Sequence, residues 1–114
     1  MSFEEQRSLP QDEVDQRVDD AIANNEVVLF MKGNALMPQC GYSKRALGLV
    51  GQHRDDVETV DTLESLPEFR AALERRSGWE TIPQVFVDGE FVGGSDVLAE
   101  LDERGELAAT LAAE

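Results

Sequence analysis

One cysteine, Cys40, is the residue in this chain best suited to covalent or metal chemistry, and basic residues stand near it in sequence: Lys32, Lys44 and Arg45. A thiolate is both a nucleophile and a soft metal ligand. Neighbouring cations or a helix N-terminus bring a thiol pKa from about 8.5 down to roughly 3.5–7.5. The pattern supplies both conditions. Val27 to Met31 is a β-branched, apolar run that reads as a buried strand ending near Lys32. Gly33 and Pro38 then mark a loop, and Ala46, Leu47 and Val50 follow at helical spacing. Cys40 therefore sits at a helix head, where unpaired N–H groups and roughly half a positive charge favour an anion. The common alternative for a lone cysteine is burial as an inert apolar residue. The three basic residues make a local patch suited to a small anion.

The rest of the 114-residue chain sets the background, with length for one ordinary core. Acidic residues number 24 against 10 basic, a formal net charge of −14 at pH 7. Such a surface is a poor partner for nucleic acid or an anionic membrane. Eight of the ten basic residues are arginine, which suggests a salt-rich cytoplasm and a halophilic source, where screening relieves self-repulsion. The longest apolar run is far short of the ~20 residues of a membrane span. The acidic start, Met1-Ser2-Phe3-Glu4-Glu5, predicts no secretory leader. A lone cysteine forms no internal disulfide, which fits a reducing, cytoplasmic location.

In chain order, residues 1–11 read as a flexible polar tail. Val14, Val18, Ala21 and Ile22 predict a helix from Asp12 to about Asn24, before the strand Val27–Lys32 and a helix from Gly41 to about His53. Alternation over Asp55–Asp61 predicts a short edge strand. Ser65-Leu66-Pro67-Glu68 reads as a helix start with a Ser65–Glu68 capping box; Leu66, Phe69 and Leu73 form its buried face and Gly78 stops it. Asp88-Gly89 between Gln84–Val87 and Glu90–Val92 is a strong hairpin signal. After Gly93-Gly94, Ser95 or Asp96 is expected to cap a helix carrying Val97, Leu98 and Leu101, and a last helix falls around Leu107 and Leu111. The order αβαβαββα(α) predicts one α/β domain over 1–114, a four-stranded mixed sheet with helices on both faces.

Four motifs resemble the monothiol glutaredoxin family: Met31-Lys32-Gly33, Pro38-Gln39-Cys40-Gly41-Tyr42-Ser43, Trp79-Glu80-Thr81-Ile82-Pro83-Gln84 and Gly93-Gly94-Ser95-Asp96. The likeness covers roughly residues 12–104, and Tyr42 stands where the family usually has Phe in C-G-F-S. It implies a thioredoxin-like fold and an active thiol at Cys40. Lys32 and Arg70 match residues that meet the glycine carboxylate of bound glutathione. Ile82 precedes Pro83, the match of a cis-proline that leaves the Ile82 backbone free to pair with the bound thiol. Gly94, Ser95 and Asp96 match the segment holding the γ-glutamyl end, with Asp96 on its amino group. Trp79, Thr81 and Tyr42 match the groove. Each has a plainer reading as well: Trp79 as core, Pro83 as a strand-entry proline, Arg70 as a solvated cation.

Ser43 occupies the place of a second, resolving cysteine, so the two-cysteine reductase cycle is closed. The resemblance implies a carrier in which Cys40 and glutathione, or another γ-glutamyl thiol, contribute two sulfurs per protomer. A cluster-bridged homodimer would then hold a [2Fe–2S] cluster and pass it to iron–sulfur acceptor proteins. The alternative is an enzyme, a monothiol oxidoreductase that reduces mixed disulfides with a small thiol. A third reading is a redox-sensing adaptor docking through its acidic surface.

Overall fold

The computed structural model describes residues 8–112. Four strands form one sheet in the order β2-β1-β3-β4, with β1 at Val27–Met31, β2 at Glu58–Asp61, β3 at Gln84–Val87 and β4 at Glu90–Gly93. β2 runs parallel to β1, pairing Val28 with Glu58 and Met31 with Asp61; the other pairs are antiparallel. The central strands β1 and β3 are buried along their whole length because helices cover both faces, which is why they read as continuous rather than alternating apolar runs.

Helices α1 (Gln11–Asn24) and α3 (Leu66–Ser77) cover one face, where Val14, Val18 and Ile22 meet Phe69, Leu73, Phe30 and Phe86. Phe30 and Phe86 pack edge to face at 5.8 Å. The other face takes α2 (Gly41–Gly51), α4 (Ser95–Glu103) and α5 (Leu107–Leu111), with Ala46, Val50, Leu98 and Leu111 against Leu29, Met31 and Val85. Arg54 anchors α5: Nη1 donates to the Leu111 carbonyl at 2.6 Å, and the guanidinium also meets Asp56 and Glu26.

The β3–β4 hairpin turns through Asp88 (φ 52°) and Gly89 (φ 83°), the paired positive dihedrals of a primed turn. Gly78 (φ 83°) ends α3 in the left-handed conformation. Two expected caps are not formed. Ser65 makes no side-chain cap; a 3₁₀ turn at Leu63–Ser65 runs into α3, and the Ser65 hydroxyl instead accepts the Leu9 N–H at 2.9 Å. The expected partner's Oε1, on Glu68, is buried without a hydrogen bond. At α4 the capping position belongs to Gly94, and Ser95 and Asp96 already lie within the helix. The expected tail over 1–11 needs a correction too. Residues 1–7 lie outside the described residues, but Leu9 packs on the core and Gln11 starts α1.

No helix among the described residues is long and apolar enough to cross a membrane. The edge-to-face pair sits at the centre of the sheet, so Phe86→Ala should cost about 3–5 kcal/mol in urea unfolding and leave the secondary-structure content intact.

Candidate functional site

The site begins where β1 ends. After Lys32 the chain makes a short loop closed on itself: the Gln39 N–H donates to the Lys32 carbonyl at 2.9 Å, and the Asn34 Oδ1 accepts the N–H groups of Leu36 and Met37. Only glycine fits at position 33. Its φ is +89°, and a Cβ there would lie 2.5 Å from the Met37 carbonyl oxygen. The loop delivers Cys40 to the capping position of α2, with extended dihedrals and its carbonyl accepting the Lys44 N–H at 2.9 Å.

Cys40 is a free, half-buried thiol. Its partial burial pushes the thiol pKa up. Against this act the N–H groups of Ser43 and Tyr42, the Lys32 ammonium and the Ser43 hydroxyl, and together they hold it below its ordinary value. Ser43 is fully buried and its hydroxyl oxygen also accepts the Lys32 N–H at 3.0 Å. One hydroxyl thus touches both the strand end that carries the lysine and the thiol. Sequence reading treated Ser43 only as an absent second cysteine; nothing in the local pattern announced this bond.

Beside the thiol runs a cavity of about 700 Å³ lined by Tyr42, Trp79, Thr81, Ile82, Pro83, Gly94, Ser95 and Asp96, among others. The Ile82–Pro83 peptide is cis. Gly94 allows α4 to approach it closely, since a Cβ at that position would lie 3.0 Å from the Pro83 carbonyl oxygen. Two helix N-termini therefore open on one groove, α2 through Tyr42 and α4 through Ser95. Trp79 is 60 % exposed, so it belongs to this wall and not to the core. Lys32, Cys40 and Arg70 stand outside the lining; Cys40 adjoins it through the Tyr42 N–H, Lys32 acts on the thiol, and Arg70 lies half-buried on α3.

The expected basic patch is narrower than its sequence spacing suggested. Of Lys32, Lys44 and Arg45, only Lys32 acts on the thiol. Lys44 is exposed, and Arg45 Nη1 lies 3.4 Å from Asp96 Oδ1 in a solvent-exposed pair between α2 and α4. A larger hollow of about 800 Å³, between α1, β2 and the start of α3, holds none of the expected site residues.

The thiol at a helix head stands beside a lysine and a cis-proline groove, and residues 27–92 match the family profile described as glutaredoxin. The chain belongs to the monothiol glutaredoxin family. A monothiol glutaredoxin of Synechocystis is 46 % identical over 91 residues, covering 80 % of this chain and 84 % of that protein. Glutaredoxin 4 of Escherichia coli is 39 % identical over 92 residues, covering 81 % and 79 %. Among solved glutaredoxins, reduced apo GrxS14 of poplar superposes with a TM-score of 0.73 at 36 % identity, covering 84 % of this chain and 87 % of that one. A buckwheat glutaredoxin–glutathione complex gives 0.74 at 27 % identity, covering 89 % of each. The thioredoxin-like fold that the resemblance implies is the fold observed, and it agrees with the element order.

A glutaredoxin thiol with a lowered pKa links stability to pH with a fixed sign. The folded state favours the thiolate, so the contribution is present above the ordinary thiol pKa and lost as pH falls through the folded value. Relative to Cys40→Ser, the unaltered protein should gain stability as pH rises over that interval and then level off, measured by urea unfolding at a series of pH values.

Proposed function

We propose that this glutaredoxin carries a [2Fe–2S] cluster as cargo, held with a γ-glutamyl thiol such as glutathione. The observation that carries the reading is the position of Ser43. A buried, hydrogen-bonded hydroxyl occupies the site next to Cys40 where a resolving thiol would stand, so oxidation cannot be stored as an internal disulfide. What Cys40 retains is one accessible thiolate beside a groove.

A single cysteine per chain can hold such a cluster only by sharing it. Among the described residues no group of three or more His, Cys, Asp or Glu side chains could hold a metal by itself. Cys40 therefore supplies one sulfur, the small thiol a second, and a second copy of the chain the other two. Four thiolates make a [2Fe–2S] ligand set. In this reading the backbone of Ile82 pairs with the thiol's peptide, Thr81 and Tyr42 flank it, and the N-terminus of α4 at Gly94 and Ser95 receives its γ-glutamyl carboxylate. Asp96 takes the amino group, displacing Arg45, while Lys32 and Arg70 attract the opposite carboxylate. Glutathione is supported by the solved complex of the buckwheat relative. Acceptors would be apo iron–sulfur proteins, and half of the ligands being exchangeable eases release to them.

A second reading, monothiol disulfide exchange, is favoured by the lowered Cys40 pKa. The thiolate attacks the glutathione sulfur of a mixed disulfide, that S–S bond breaks, and the substrate leaves as a thiolate. A second glutathione thiolate then attacks the Cys40–glutathione disulfide, giving oxidised glutathione and free Cys40.

Anaerobic reconstitution with iron, sulfide and glutathione separates the two. The carrier should develop visible absorption and the mass of a dimer, and Cys40→Ser should lose both. Absence of a cluster in a protein that still reduces mixed disulfides would leave only the enzyme reading.

A further inference from the structure

We propose that Gln84 is a positioning residue for the small-thiol groove, its side-chain amide holding the Trp79–Thr81 backbone in the shape the groove wall requires. The proposal rests on the small-thiol reading above. Gln84 opens β3 opposite Phe30 and is 1 % exposed. Its Nε2 donates to the Trp79 carbonyl at 2.7 Å and to the Thr81 carbonyl at 2.9 Å. Those two acceptors decide which end of the amide is which. The Trp79 peptide is gripped from its other side as well, its N–H donating to the Ser77 hydroxyl at 3.0 Å.

The other half of the amide is left without a partner. Gln84 Oε1 is buried and accepts no hydrogen bond. An orphaned buried acceptor is destabilising, and an apolar residue of similar volume would avoid it. Stability therefore gives little reason for a glutamine here. The residues it holds are exposed wall, not core: Trp79 and Thr81 face solvent and line the groove. Without the two donors the Thr81 carbonyl can turn to water and the Trp79 carbonyl keeps only the Ser77 hydroxyl at 3.1 Å, so the wall loosens while the sheet beneath it stays paired. A polar residue opening the otherwise apolar strand Gln84–Val87 is the sequence trace of this role.

Two reactions of Cys40 separate the groove from the thiol. Alkylation by iodoacetamide reads the thiolate alone. Exchange with oxidised glutathione reads thiolate and groove together: Cys40 attacks one sulfur, the S–S bond breaks, a Cys40–glutathione disulfide forms and one glutathione thiolate leaves. In Gln84→Leu the exchange rate should fall about tenfold while the alkylation rate and its pH profile stay within about twofold. Both rates falling together, or an unchanged exchange rate, would overturn the proposal.

Gln84→Glu supplies a control of nearly identical shape. Ionised, its carboxylate faces two carbonyls and offers no donor; on protonation, which burial favours, one O–H returns, so the comparison runs from alkaline pH downward. The ratio of exchange to alkylation should rise toward that of the unaltered protein as pH falls, and a flat ratio contradicts the proposal. An unaltered protein that exchanges no faster with oxidised glutathione than with the uncharged disulfide of mercaptoethanol would overturn the groove reading itself, and this inference with it.

Discussion

The site depends on one buried hydroxyl. Ser43 Oγ accepts the N–H of Lys32 at 3.0 Å, joining the end of β1 to the start of α2, and the same hydroxyl helps to favour the Cys40 thiolate. That bond sets the lysine and the cysteine in one frame, each delivered by a different element. Thr62 supports the same strand end, its N–H and hydroxyl both bonding the Met31 carbonyl at 2.9 Å. Asp61 completes it by accepting the Gly33 N–H at 3.0 Å. The parallel strand β2 is thus the brace of the loop that carries the chemistry, although no residue of β2 lines the groove.

Electrostatics runs against the background of the chain. With a formal charge of −14, the molecule repels anions overall, yet the site favours a thiolate and suits an anionic ligand. Short-range, oriented groups do this. Backbone N–H groups at the heads of α2 and α4 act within a turn of the helix, where their partial charges are strongest, and Lys32 adds a full charge close by. Distant carboxylates are screened over about 8–10 Å at ordinary ionic strength. Elsewhere the acidic surface is organised by pairs such as Arg75–Asp15 and Arg76–Asp19, both 2.6 Å, which link α1 to α3.

Much of this was legible because it is local. The run Val27–Met31, the Asp88-Gly89 turn, Gly78 at the end of α3 and Cys40 at the head of α2 each follow from residues within a few positions of one another. What failed to read was non-local. The Ser65 hydroxyl is taken by Leu9, 56 residues away, and Arg45 is drawn to Asp96, 51 residues away. Neither partner belongs to the pattern in which the residue was first noticed. The groove residues from Trp79 to Asp96 became a site through family motifs; spacing alone shows a turn, a proline and a glycine pair. Gln84 was invisible as a functional residue because its two acceptors are main-chain carbonyls, which carry no side-chain signature.

The most direct measurement is a pH titration of the Cys40 thiolate by its ultraviolet absorbance, in the folded protein and again in urea. The helix head, Lys32 and Ser43 require a folded midpoint below that of the unfolded chain. A folded midpoint equal to or above the unfolded one would mean that these groups do not stabilise the thiolate, and the chemistry assigned to the groove would lose its nucleophile and its metal ligand together.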